Sequence, residues 1–143
     1  ALVRGGHGDA MVPLVNFPSI GGIPVTEFLS RDVLEKIVDR TANGGAEIVG
    51  HLKTGSAFYA PGAAVTQMIE AIVKDKKRIL PCAAYLEGEY GVSGIYLGVP
   101  IKLGKDGVEQ VIELPLSEDE RAALMKSAEG VKASIGLINM DEI

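Results

Sequence analysis

Cysteine, basic charge and long apolar runs are all scarce in this chain of 143 residues. Its single cysteine, Cys82, excludes an intrachain disulfide and favours a reducing compartment, so we expect a cytoplasmic protein. Acidic residues outnumber basic ones by 19 to 14, and the net charge of −5 argues against nucleic acid or an anionic membrane as a partner. No stretch reaches the roughly 18 consecutive apolar residues that a membrane-spanning helix needs.

Cys82 also gives no sign of chemistry of its own. It follows Ile79-Leu80-Pro81 and precedes two alanines, a setting that predicts a buried apolar residue rather than a nucleophile. We assign no metal site from the sequence.

What the chain does contain is the composition of one globular domain. Hydrophobic residues make up 47% and charged residues 23% of the sequence, and the length is enough for a real core. The first residues, Ala1-Leu2-Val3, have the pattern of a strand. We therefore expect the chain to be a segment of a longer polypeptide, and part of a functional site to lie outside these 143 residues.

One titratable side chain sits in an unusual backbone setting. His7 lies in Gly5-Gly6-His7-Gly8-Asp9, just after the predicted strand, and glycines on both sides permit backbone angles closed to other residues. With an ordinary pKa of about 6.5, an imidazole here could act as an acid or a base near neutral pH. The alternative is a turn histidine that only hydrogen-bonds the backbone.

The middle of the chain has helical periodicity. Ser30 is a candidate N-cap, Val33, Leu34, Ile37 and Val38 follow at helical spacing, and the residues 41–45 are expected to break the pattern. A second stripe, Val65-Met68-Ile69-Ile72-Val73, predicts a core-facing helix. We therefore expect a long kinked helical arm from Ser30 to about Asp75.

The kink is expected in the run Lys53-Thr54-Gly55-Ser56-Ala57-Phe58-Tyr59-Ala60-Pro61. A proline inside a helix removes one hydrogen bond and costs about 3 kcal/mol, so such a residue implies a reason for its presence. Two interpretations remain open: two helices that meet closely through small residues, or a segment that lines a ligand.

The remaining segments alternate as strands do. Met11 to Val25 predicts two short strands, and Arg78–Leu86, Gly94–Leu103 and Val108–Leu114 predict an antiparallel meander with an Asp106-Gly107 hairpin turn. Ser117 and Glu120 form a capping-box pattern before a closing helix whose buried face holds Leu124, Ala128, Val131 and Ile135. The fold class predicted is α+β, an antiparallel sheet packed against the kinked helix and the C-terminal helix.

Several of these motifs together resemble a known family. Gly6-His7-Gly8-Asp9 with Met11-Val12-Pro13-Leu14, the Lys53–Pro61 run, Tyr90-Gly91 and Gly98-Val99-Pro100 occur in the order found in the C-terminal half of the lactate/malate dehydrogenase family. The likeness covers essentially the whole chain, and its motifs are closest to the malate dehydrogenases that resemble lactate dehydrogenases. Lactate dehydrogenase is the alternative within the family.

The resemblance implies a function and a set of site residues. It implies an NAD-dependent malate dehydrogenase that converts malate and oxaloacetate, with His7 as general acid and base, Ser56 and Ala57 lining the substrate pocket and Pro61 near the nicotinamide ring of NAD. We interpret Asp9 as a residue that holds the loop. Arg4 is expected to be a solvated strand residue and not a substitute for the family's substrate arginines.

The resemblance also implies what the chain does not carry. An N-terminal Rossmann half that binds NAD, an orienting aspartate, the substrate arginines and a closing loop would all lie outside residues 1–143, which we treat as one substrate domain. We therefore expect the chain alone to be inactive and the whole protein to be a homodimer or homotetramer. A different class of function also remains, a stable assembly module without catalysis, since the apolar stripes exceed what one small domain needs.

Overall fold

A computed structural model describes residues 2–6 and 11–138 of the chain. The described part is an α+β domain, which confirms the predicted fold class: an antiparallel sheet, a separate short hairpin and helices packed against the sheet. Its strands are β1 Leu2–Gly5, β2 Met11–Leu14, β3 Ser19–Ile20, β4 Ile23–Pro24, β5 Arg78–Glu87, β6 Ser93–Gly104 and β7 Gly107–Val111, and its helices are α1 Arg31–Leu52, α2 Tyr59–Val73 and α3 Glu118–Gly136.

Strand β6 organises the sheet. It pairs with β5 along one edge, and on its other edge it pairs with β7 near one end and with β1 at Gly98. Strand β2 completes the sheet as the antiparallel neighbour of β1. The β1–β2 hairpin, which carries the residues just before and after His7, is therefore held against the middle of the longest strand.

The core lies on one face of this sheet. Side chains alternate along β5 and β6, as the pleat of a strand requires, and the buried set is closed by one residue of α2 and two of α3. Its strand members include Cys82, Ala84, Leu86, Ile95, Leu97, Val99, Ile101 and Leu103, and its helix members are Ala71, Leu124 and Ala128.

Local sequence signals set two turns and one helix cap as predicted. Gly21 and Gly22 both have positive φ, +59° and +87°, and join β3 to β4 as a two-residue turn that favours glycine. Lys105 and Asp106 join β6 to β7. The Ser117 hydroxyl accepts from the Glu120 amide at 3.2 Å while the Glu120 carboxylate accepts from the Ser117 amide at 2.9 Å, so the capping box is confirmed.

The helical arm differs from its predicted form in two ways. Helix α1 continues through residues 41–45, so the expected break at Gly44-Gly45 is wrong. The arm is divided at residues 53–58, between α1 and α2, which confirms the kink predicted within Lys53–Pro61. Pro61 is the third residue of α2, where no intrahelical partner for its missing N–H is needed, so the hydrogen bond that we expected it to remove is not lost.

The apolar stripes of these two helices are only partly buried. Helix α1 has no buried residue among its 22, and Val33, Ile37 and Leu52 are 41–49% exposed. On α2, Met68 and Ile72 pack against the core, but Val65, Ile69 and Val73 are 53–77% exposed, which corrects the prediction that the whole stripe is core. Ile135 of α3 is likewise 47% exposed, while Leu124 and Ala128 are buried as expected.

Within residues 2–6 and 11–138, none of the helices combines the length and the apolar character that a bilayer span requires.

Candidate functional site

The exit of β1 is built on a close approach of two backbones. Gly5 pairs with Gly98 of β6 and has φ +78°, a conformation that favours glycine. A Cβ at Gly98 would collide with the carbonyl oxygen of Gly5. The absence of a side chain at both positions is therefore what allows the strand to leave the sheet here, two residues before His7.

A buried hydroxyl of α3 holds the next residue. The backbone N–H of Gly6 donates to the Ser127 Oγ at 2.7 Å, and Ser127 is 5% exposed. Ser127 was not predicted as a site residue, although the sequence contains a signal for it: it lies at helical spacing with Leu124 and Val131, on the predicted apolar face of α3. A polar residue on such a face needs a partner, and Gly6 is one.

Arg4 is buried, which corrects our expectation of a solvated residue. Its side chain is 2% exposed, and its Cζ lies 4.8 Å from the centre of the Tyr90 ring. Within the described part of the chain, the three guanidinium nitrogens have no hydrogen-bond partner. Burial lowers the pKa of Arg4, because a charged guanidinium loses its hydration there.

Tyr90 connects this strand to the far side of the domain. Its hydroxyl donates to the carbonyl of Ile112 at 2.5 Å and accepts from the amide of Leu114 at 3.0 Å. Its own amide donates to the Glu113 carboxylate at 2.7 Å, and its φ of +57° is uncommon for a residue with a side chain. Arg4 therefore packs on a ring that is fixed by several hydrogen bonds.

The predicted pocket residues Ser56, Ala57 and Pro61 lie together at the α1–α2 connection. Lys53 and Gly55 turn the chain with φ of +66° and +90°, and the Phe58 amide donates to the Ser56 carbonyl at 3.0 Å. Ser56 and Pro61 are exposed and Ala57 is half-buried. Both interpretations of this run are compatible with that geometry: a helix–helix corner, and a surface of small side chains open to a ligand.

His7 and Asp9 lie outside the described residues. The structure brings Ser56, Ala57 and Pro61 onto one connection, and it describes the backbone up to Gly6 and again from Met11. The placement of the His7 imidazole beside that connection stays a prediction.

Other chemistry-bearing groups have structural explanations. Cys82 is 9% exposed, and burial raises the pKa of its thiol, as expected of a core residue and not of a nucleophile. Lys74 and Lys76 both pair with Glu70, and Lys77 pairs with Glu109 at 2.9 Å. Across the part of the chain that the structure describes, no three or more His, Cys, Asp or Glu side chains are grouped to hold a metal ion.

Comparison with known proteins identifies the domain type. Residues 1–140 match the model of the lactate/malate dehydrogenase, alpha/beta C-terminal domain. A malate dehydrogenase from Roseiflexus sp. (strain RS-1) is 62% identical over 138 residues, which is 96% of this chain but 45% of that relative. The chain thus spans less than half the length of this relative.

Solved structures of malate and lactate dehydrogenases are also similar to this chain. The malate dehydrogenase of Salinibacter ruber is 54% identical with a TM-score of 0.92, over 95% of this chain and 44% of its own. The lactate dehydrogenase of Eimeria maxima, solved with NADH and oxamate, is 40% identical with a TM-score of 0.90, over 94% of this chain and 42% of its own.

Proposed function

Because the chain belongs to the lactate/malate dehydrogenase family, of which it is a C-terminal domain, we propose that it is the catalytic half of an NAD-dependent malate dehydrogenase. The observation that carries the proposal is the 62% identity to a malate dehydrogenase over nearly the whole chain. We further propose that an N-terminal Rossmann half, outside these residues, binds most of the nucleotide, since this chain is 45% of that relative's length.

His7 is the proposed acid and base. Reduction of a 2-oxo acid places negative charge on the ketone oxygen, and an imidazolium that hydrogen-bonds this oxygen stabilises the charge and then gives it a proton. In the reverse direction, the neutral imidazole takes the proton of the malate hydroxyl. The described backbone supports this role, because the residue before His7 is held by Ser127 and the strand before it by β6.

Ser56, Ala57 and Pro61 are the proposed pocket residues. NAD would supply or accept the hydride when bound. Small side chains at the α1–α2 connection fit a planar ring and a short dicarboxylate near the backbone, since Ser56 and Pro61 are exposed and none of the three is bulky. Ser56 has a hydroxyl that can hydrogen-bond a substrate oxygen.

The test of the acid–base role is His7→Asn in the full-length protein that carries this chain. We expect folding and NADH binding to survive while turnover of oxaloacetate falls by about 10²–10⁴ or more, because one positioned proton donor is lost. The matched control is His51→Asn, since His51 is an exposed residue in the last turn of α1. Unchanged turnover in His7→Asn would remove the assignment.

Substrate choice within the family needs its own experiment, because a lactate dehydrogenase is also among the similar structures. We expect kcat/KM for oxaloacetate to exceed that for pyruvate. The reverse order would make the protein a lactate dehydrogenase. The isolated 143-residue chain is expected to show no appreciable turnover with NADH and either acid.

The exposed apolar face of α1 favours assembly of the whole protein as a homodimer or homotetramer. Val33, Ile37 and Leu52 are each more than 40% exposed in this chain, and exposed apolar patches of this kind mark interfaces. Light scattering of the full-length protein checks the proposal, and a monomer at micromolar concentration would contradict it.

A further inference from the structure

We propose that Ser127, on helix α3, is a positioning residue for the proton transfer: its hydroxyl anchors the amide of Gly6, the residue that precedes His7 in the sequence. The inference rests on the proposed function of His7. Ser127 touches neither of the reacting partners in this role, since it acts through the amide of Gly6, the residue that precedes His7.

The strand exit contains two consecutive glycines. Gly5 and Gly6 carry no side chains, and glycine has more backbone freedom than any other residue. Gly5 pairs with Met11 of β2 and with Gly98 of β6. The Gly6–Ser127 hydrogen bond ties the next residue to helix α3, across 121 residues of sequence.

The hydrogen bond is short, and its acceptor is buried. At 2.7 Å it is short for an amide donor, and the Ser127 side chain is 5% exposed. A part-buried amide that loses this acceptor favours a shifted backbone in which it regains a partner.

Ser127 is itself held rigidly. It lies between Leu124 and Ala128 on the buried face of α3, and these neighbours are 0% and 4% exposed. Helix α3 also packs on β6, β1 and β2. The hydroxyl is therefore fixed relative to the sheet, and small displacements of a reacting group lower rates strongly.

The test uses the full-length protein and a pair of variants of equal shape. Ser127→Thr keeps a hydroxyl and Ser127→Val replaces it by a methyl, so the two variants have the same shape and differ in the hydroxyl that accepts from Gly6. Ser127 borders a cavity of about 870 Å³, which leaves room for the added carbon. Ser127→Ala serves as the second variant if Val impairs folding.

We expect kcat for oxaloacetate reduction to fall about tenfold or more in Ser127→Val, while the dissociation constant of NADH stays unchanged. The kcat of Ser127→Thr should be close to that of the parent protein. The primary deuterium isotope effect with 4-deuterated NADH should rise in the Val variant, because the chemical step becomes slower relative to product release. A general loss of stability would not raise this isotope effect. Amide hydrogen exchange of Gly6 should also be faster in Ser127→Val than in Ser127→Thr.

The matched control is Ser134→Ala. Ser134 is on the same helix and borders the same cavity, but its hydroxyl donates to the Gly130 carbonyl of its own helix at 3.0 Å. Its kinetics should equal those of the parent.

If the parent protein is active, equal losses of kcat in Ser127→Thr and Ser127→Val, or no loss in either variant, would overturn the proposal. If the parent has no dehydrogenase activity, the proposed function fails instead. In that case the rate of amide hydrogen exchange at Gly6 still tests whether Ser127 anchors this residue. Equal rates in Ser127→Thr and Ser127→Val would refute the anchoring.

Discussion

Replacement of Arg4 by methionine should stabilise the protein. Arg4 is 2% exposed, and within residues 2–6 and 11–138 its Nε and both terminal nitrogens lack hydrogen-bond partners. Buried charge without a partner is among the most unfavourable features of a folded chain, and burial lowers the pKa of this guanidinium for the same reason. Methionine keeps the unbranched stem and has no charge to desolvate.

The magnitude follows from two opposing terms. Each unpartnered nitrogen costs about 1 kcal/mol or more, hence about 3 kcal/mol in total. The cation–π contact with Tyr90, at 4.8 Å, returns about 2 kcal/mol in a desolvated site. The net gain from Arg4→Met is therefore about 1 kcal/mol, which corresponds to a rise in Tm of about 2–4 °C.

Thermal and urea unfolding of the full-length protein measure this change. The control is Arg31→Met, because the Arg31 side chain is 90% exposed and its ion pair with Glu35 is on the surface. It should alter the free energy of unfolding by less than about 0.5 kcal/mol. A fall in Tm for Arg4→Met would show that the guanidinium is a net stabiliser and that the reasoning is wrong.

Three more substitutions test other contacts. Tyr90→Phe leaves two backbone groups without their partner and should destabilise by about 1–3 kcal/mol in urea unfolding, whereas Tyr96→Phe, at a 65% exposed ring, should be neutral. Gly98→Ala should destabilise by about 1–3 kcal/mol and lower kcat, because its Cβ meets the backbone of β1, while Gly130→Ala, in open helical space, should stabilise by up to about 1 kcal/mol. The Lys74 and Lys76 ammonium groups lower the pKa of Glu70 from 4.5 to about 2. The contribution of these ion pairs to the stability of the fold is therefore complete above pH 4.5 and is lost as the pH falls towards 2. Glu70→Gln should lower Tm at pH 7 and leave it unchanged near pH 2.

Local chemistry explains which parts of the fold were predictable. The β6–β7 turn, the capping box at Ser117 and the strands β5, β6 and β7 depend on a few neighbouring residues, and each of these predictions is confirmed. Between Met11 and Val25 the structure has three short strands where two were predicted. The break expected at Gly44-Gly45 is wrong because helix propagation is cooperative. Relative to alanine, two glycines reduce the stability of a helix by about 2 kcal/mol, which is too little to interrupt a helix of 22 residues.

The site was predictable only in part, for a different reason. Ser56, Ala57 and Pro61 stand in one short motif, so the sequence indicates that they lie together, while their role in a pocket stays a prediction. The burial of Arg4 could not be predicted, since strand alternation places it on one face but does not say that Tyr90, 86 residues later, packs against it. Ser127 was missed for the same reason: its partner is Gly6, and the pairing exists only after the chain has folded.

Helix α1 shows how far hydrophobic periodicity can be interpreted. Its apolar stripe and that of α3 look alike in sequence, yet α3 buries Leu124 and Ala128 within this domain while α1 buries nothing. Periodicity reports that a face is to be covered and carries no information on which element covers it. The exposed stripe of α1 is the surface on which the proposed assembly of the whole protein rests. The same apolar periodicity therefore accompanies a buried face in one helix of this domain and an exposed face in the other.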